Sequence, residues 1–124
     1  MTKLLFVFLG GGLGASARYA VSLFILKLAK PMWLGTFAVN AIGCLVLGYL
    51  FGLTLSKPNL FPENLKLGLT VGFLGGLTTF STFSLETLTF LKDGKLLAGV
   101  GYMLISCVVG LSCAGLGYWL SHRI

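Results

Sequence analysis

Residues Gly75-Gly76-Leu77-Thr78-Thr79-Phe80-Ser81-Thr82-Phe83-Ser84 lie inside an apolar segment, Leu65 to Leu91, that otherwise suits a membrane-spanning helix. Two adjacent glycines weaken a helix, because glycine loses the most backbone freedom when it is ordered. Five hydroxyl residues and two phenylalanines follow them. In hydrocarbon an interrupted helix leaves backbone groups without partners, each costing on the order of several kcal/mol. Such a break survives only where it is buried in protein or lines a polar path. The segment is therefore expected to be the place where an ion or solute crosses.

The rest of the chain supports a membrane setting. Of its 124 residues, 56% are hydrophobic and only 10% charged, and the mean hydropathy is +0.98. A soluble domain of this size needs far more polar residues to cover its surface. Four stretches are long enough for a core that takes about 20 helical residues to cross. They run from Leu4 to Leu26, Trp33 to Leu55, Leu65 to Leu91 and Leu96 to Leu120. The expectation is an all-α, multi-pass membrane protein with one domain, residues 1–124, and a break in the third helix. Met1-Thr2-Lys3 resembles the start of a signal peptide, but the apolar run continues past Arg18 to Leu26, so an uncleaved span is expected.

Several function classes drop out. Cys44, Cys107 and Cys113 fall inside spans with no metal-ligand spacing and read as small buried apolar residues. No nucleotide-binding loop or nucleophile–base pair is visible, and His122 at the C-terminus is the only histidine. An enzyme is the least expected class. The net charge of +6 sits mostly at span ends, which fits interfacial anchoring better than nucleic acid binding.

Four spans put both termini and the loop between the second and third spans on one side. That side carries Lys3, Lys57, Lys66 and Arg123; the other carries Lys27, Lys30, Lys92 and Lys95. Orientation follows asymmetry in Lys and Arg, and four against four gives none. The chain is expected to insert both ways round, so that two copies pair as an antiparallel, dual-topology homodimer about an axis in the membrane plane. Small residues at four-residue spacing, such as Gly10/Gly14, Gly48/Gly52 and Gly68/Gly72/Gly76, suit the close helix packing that membranes favour.

Polar residues inside the spans define the candidate site. Arg18 is an intramembrane charge, costing about 2.5 kcal/mol or more, and should face protein, water or an interface. Its functional reading is an electropositive funnel for anions; its structural reading is a snorkelling arginine. Asn40 can donate to an anion or tie two helices together. Phe80 and Phe83 are three residues apart and share a face; their positive ring edges would attract a small anion. Thr79, Thr82 and Glu86 project from nearly the same side. Glu86 can pair with a hydroxyl, hold a proton, or sit at a vestibule. Tyr102 and Ser106 are one turn apart on the fourth span and can extend a polar track, with Gly110 and Cys113 continuing the stripe.

These residues resemble the Fluc (CrcB) family of fluoride channels. The resemblance rests on Gly11-Gly12-Leu13-Gly14-Ala15 with Arg18-Tyr19, on Gly35-Thr36 through Asn40, and above all on Gly75 through Ser84 with Glu86. It implies a four-helix, dual-topology homodimer with two pores that export fluoride passively across the cell membrane. It also implies a structural sodium ion at the dimer interface, held by the carbonyls of Gly75 and Thr78. The pore residues it implies are Asn40, Phe80, Phe83, Thr79, Ser81, Thr82, Tyr102 and Ser106, with Thr36 and Glu86 at polar-track positions and Arg18 at the vestibule. Where some members continue hydroxyls along the fourth helix, this chain has Gly110 and Ala114. A proton-coupled transporter of the small multidrug-resistance type is the alternative, but it wants an acid within the first span, where this chain has Arg18. A non-transporting assembly subunit would leave the hydroxyl–phenylalanine cluster without a purpose.

Overall fold

The computed structural model describes residues 1–29 and 31–123. Its helices are α1 (Thr2–Ala29), α2 (Met32–Ser56), α3 (Glu63–Leu67), α4 (Gly75–Leu77), α5 (Phe80–Lys92) and α6 (Leu96–Ser121), with a π-helical stretch (Gly68–Leu74) joining α3 to α4. Four helices, counting Glu63–Lys92 as one crossing, are long and apolar enough to span a membrane. Each expected span is present and extends by up to three residues at either end.

The crossings alternate in direction. An exposed ion pair between Lys3 Nζ and Glu63 Oε1, 2.7 Å long, puts the starts of α1 and α3 on one side. Being exposed, it contributes at most about 1 kcal/mol, but it fixes the topology. Gly52 meets Ser121 at the other parallel pair, so the end of α6 lies beside the end of α2. Both termini and the α2–α3 loop therefore share a side, as the charge count assumed; Lys30, counted on the opposite side, lies outside the described residues. The α5–α6 turn closes with Gly94 in the left-handed region, φ 72°. Gly94 N–H donates to Leu91 O and Lys95 N–H to Phe90 O, the paired bonds of a glycine-terminated helix.

Packing depends on missing side chains more than on large ones. The buried apolar residues are few: Val39, Leu74 and Leu77 form the centre, with Ala17, Val21, Leu50 and Phe73 against it. Lipid is as apolar as leucine, so close backbone approach has to supply the attraction. α1 lies directly on the third crossing at Gly14, where a Cβ would overlap the Phe73 carbonyl oxygen. α2 lies on α6 at Gly48 and Gly117, where a Cβ would overlap the carbonyl oxygens of Ala114 and Leu45.

The third crossing departs from the expectation in one respect. The chain passes through Gly75 and Gly76 as helix and opens at Thr78 and Thr79, whose backbones are extended (φ −82°, ψ 153° and φ −149°, ψ 121°). Glycine within a helix costs only about 1 kcal/mol, and here Gly76 admits the backbone of α1 at Gly11. Gly76 is a contact point rather than the break, which begins two residues beyond it at Thr78. The π-helical stretch precedes it, with Gly75 N–H reaching back to Thr70 O; such stretches are rare and concentrate at functional sites.

Candidate functional site

The break at Thr78–Thr79 is held by one side chain from another crossing. Asn40 on α2 donates from Nδ2 to Thr79 O (3.1 Å) and accepts at Oδ1 from Thr79 N–H (2.8 Å). The second of these bonds satisfies the Thr79 N–H that the opened helix leaves over, and the first adds a donor to the carbonyl that begins the α5 ladder. Gly43, one turn further along α2, has no Cβ to obstruct the Thr78 methyl. Thr78 Oγ1 donates to Leu74 O at 2.9 Å. Of the two readings open to Asn40 in the sequence, the helix tie is therefore present; the second amide proton remains for another acceptor.

Thr79 also starts the next helix. Its side chain caps α5 by accepting from Thr82 N–H (3.3 Å), as threonine commonly does at that position. The same hydroxyl lies 3.2 Å from Ser81 Oγ and 3.1 Å from Thr82 Oγ1. Thr79 is buried, whereas Ser81 and Thr82 are exposed. Three hydroxyls thus converge where the N-terminus of a 13-residue helix carries partial positive charge.

Glu86, two turns along α5, takes the first of its three expected roles. Its Oε1 accepts from Thr36 Oγ1 at 2.7 Å and its Oε2 from Tyr102 OH at 2.8 Å. The carboxylate thereby joins α2, α5 and α6. Tyr102 is buried, and its ring lies 5.2 Å from that of Phe83, 5.5 Å from Trp33 and 6.0 Å from Phe90. Phe83 in turn lies 5.6 Å from Phe80, which stands 80% exposed. Trp33 and Phe90, missed as site residues in the sequence, belong to this aromatic cluster; their signal was only that of ordinary span residues.

Arg18 projects from well inside α1 toward the break, with Nη1 3.5 Å from Thr78 O. It is half-buried, so its charge sits beside the interrupted helix.

An open groove of about 490 Å³ runs between α2, α6 and the break. Asn40, Gly75, Thr78, Thr79, Phe80, Phe83 and Ser106 line it. Ser81, Thr82, Thr36, Glu86, Tyr102 and Arg18 do not; they lie behind or beside this lining and act on it through the contacts above. Ser106 Oγ is shielded from solvent and has no hydrogen-bond partner among the described residues. Along α6 the groove continues past Gly110 to Ala114, and Cys113, expected on that stripe, is not part of its lining. The arrangement offers amide, hydroxyl and ring-edge hydrogens on one wall and leaves the opposite wall open.

Comparison with known proteins agrees with this architecture. The family model described as "CrcB-like protein, Camphor Resistance (CrcB)" matches residues 5–118. A Desulfotalea psychrophila protein named Fluoride-specific ion channel FluC is 42% identical over 117 residues, covering 94% of this chain and 90% of its own. A Pseudomonas putida protein of the same name is 44% identical over 114 residues, 91% of each chain. One from Azobacteroides pseudotrichonymphae is 41% identical over 123 residues, 98% of each. The match extends from the first helix into the last and takes in the break, its asparagine brace and the aromatic pair: the chain belongs to the CrcB family.

Proposed function

We propose that this protein is a fluoride channel of the cell membrane, through which the anion leaves passively and the cell gains resistance to fluoride. The observation that carries the reading is the Asn40-braced break opening on a groove that also holds Phe80, Phe83 and Ser106, in a chain whose relatives are named fluoride-specific ion channels. Fluoride is small and strongly hydrated, so a path for it must replace water with closely spaced donors. Asn40 retains one amide proton, and Ser106 has an unused hydroxyl. The edges of Phe80 and Phe83 add weak positive charge. Thr79, Ser81 and Thr82 supply hydroxyls at the positive end of α5, and Arg18 adds a full charge beside the break. Glu86, with both oxygens occupied by Thr36 and Tyr102, keeps the Tyr102 ring against Phe83. Selection rests on narrowness and on the lining groups. Liposomes carrying the purified protein and loaded with fluoride are expected to empty once a potassium ionophore relieves the opposing potential; a rate no higher than that of protein-free liposomes would contradict the proposal.

The proton-coupled alternative is not favoured. The first crossing carries Arg18 where that chemistry wants an acid, and Glu86 is tied to two hydroxyls rather than open to a substrate.

The path needs a second wall, and a second copy in the opposite orientation supplies one. Balanced flanking charge permits both insertions, and the exposed Phe80 ring stands at the open side of the groove. A two-fold axis in the membrane plane then gives two grooves and two pores. Reconstituted protein should be dimeric, with its C-terminus reachable from both vesicle faces. A monomer, or labelling from one face alone, would sink this arrangement.

At that interface the carbonyls of Gly75 and Thr78 would hold a sodium ion as a structural cofactor. They fit a hard monovalent cation. Thr79 N–H, the helical donor due to Gly75 O, is given to Asn40 instead, and no other backbone donor to Gly75 O is found among the described residues. Among the described residues Thr78 O has only the long side-chain contact from Arg18, which leaves a lone pair free. No cluster of three His, Cys, Asp or Glu side chains occurs among the described residues, so the cation would rest on carbonyl oxygens, as at other broken membrane helices. Such an ion would pin the two breaks together. Efflux unchanged after exhaustive replacement of sodium by a bulky organic cation would reject it.

A further inference from the structure

We propose that Cys44 lines the anion path as the donor that follows Ser106, and that its thiol makes the path blockable by a thiophilic cation. The inference rests on the channel reading above and names a lining residue that reading does not include.

The argument is one of register. α2 and α6 run side by side in the same direction, and residues four apart on a helix share a face. Asn40 and Ser106 both line the groove. One turn further, Cys44 and Gly110 both line it as well. A Cβ placed on Gly110 would meet the Cys44 sulfur at 3.6 Å and no other atom within 4 Å. The thiol therefore faces the space that the absent side chain at 110 leaves open. One turn further again, at Gly48 and Ala114, the two backbones touch and the floor between them closes. Cys44 thus supplies the last hydrogen donor from α2 before closure, on the rung next to Ser106.

The independent sign of a ligand is Ser106. Its oxygen is shielded from solvent with no hydrogen-bond partner among the described residues, which leaves its hydroxyl free to donate to an ion in the groove. An ion leaving the Ser106 hydroxyl meets the Cys44 thiol next. An S–H group is a weaker donor than O–H and more polarizable, so it passes the ion on without holding it. The same sulfur binds soft cations once its proton has left, and Cys44 is a free, half-buried cysteine.

Silver ion is the probe. It takes the place of the thiol proton, which passes to water, and a silver-capped sulfur obstructs the narrow path. Fluoride efflux is measured from liposomes in chloride-free gluconate medium with and without silver. Each protein is read as its own treated-to-untreated ratio. Wild type should fall to about a tenth of its untreated rate or less, as expected when a pore-lining group is capped. Cys44→Ser and Cys44→Ala should keep a ratio near one, and Cys107→Ser should stay sensitive. Wild-type efflux indifferent to silver overturns the proposal, and so does a block that persists in both Cys44 variants. If untreated wild type releases no fluoride, it is the channel reading itself that fails.

Discussion

Asn40→Ala should reduce fluoride efflux by at least about tenfold, a loss equal to about 1.4 kcal/mol, with the protein still present in the membrane. The substitution removes both bonds to Thr79. The Thr79 N–H is then left without a partner at mid-membrane, costing about 1–3 kcal/mol, while its C=O, as the cap of α5, keeps the first bond of that helix. The chain can recover the N–H bond only by resuming a helix through Thr78–Thr79, which would turn Thr79 away from Thr82 and Ser81 and dismantle the hydroxyl cluster. Asn40→Asp separates the two bonds. Aspartate can still accept from Thr79 N–H but has no proton to give to Thr79 O when ionised, so it should also fail. Efflux at the wild-type rate in Asn40→Ala would remove the brace from the account.

Gly14→Val should leave little folded protein. A Cβ at this position would overlap the Phe73 carbonyl oxygen and lie 2.9 Å from Leu77 N. Both obstacles are backbone, so no rotamer change relieves them. Overpacking costs about 1–3 kcal/mol where side chains can move, and more is expected where α1 must be pushed off the third crossing. Gly12→Ala is the matched control, because a Cβ there has nothing within 4 Å and gains up to about 1 kcal/mol of helix propensity. The monodisperse fraction recovered in detergent should collapse for Gly14→Val and stay at the wild-type level for Gly12→Ala. Equal recovery of the two would mean that the α1 contact is not what holds the bundle.

Much of this was legible in the chain, and what was not has a common cause. The four crossings follow from hydropathy and length, which are local properties. The sharing of one side by both termini follows from their even number. The break was legible as an event, because a polar hydroxyl run inside a span demands one, but its position was not. Gly75 and Gly76 signal weakness from sequence alone, yet the opening is set by Asn40, which lies 39 residues away from Thr79. The π-helical stretch had no signal, since Gly68 through Leu74 reads as ordinary apolar helix. Glu86 posed three alternatives because its partners, Thr36 and Tyr102, come from other helices. Arg18 was recognisable as an intramembrane charge, while its contact with Thr78 O depends on how α1 lies across the third crossing. Cys44 read as a small apolar filler, and only the register of α2 against α6 sets it opposite Gly110.

The central claim is that the wall built by Asn40, Phe80, Phe83 and Ser106 admits a small hard anion and refuses larger ones. The direct measurement is parallel efflux of fluoride and chloride from liposomes holding the same purified protein at the same density, under the same ionophore. The account predicts rapid loss of fluoride while chloride stays at the protein-free baseline. Chloride leaving as fast as fluoride, or neither ion leaving at all, would contradict it.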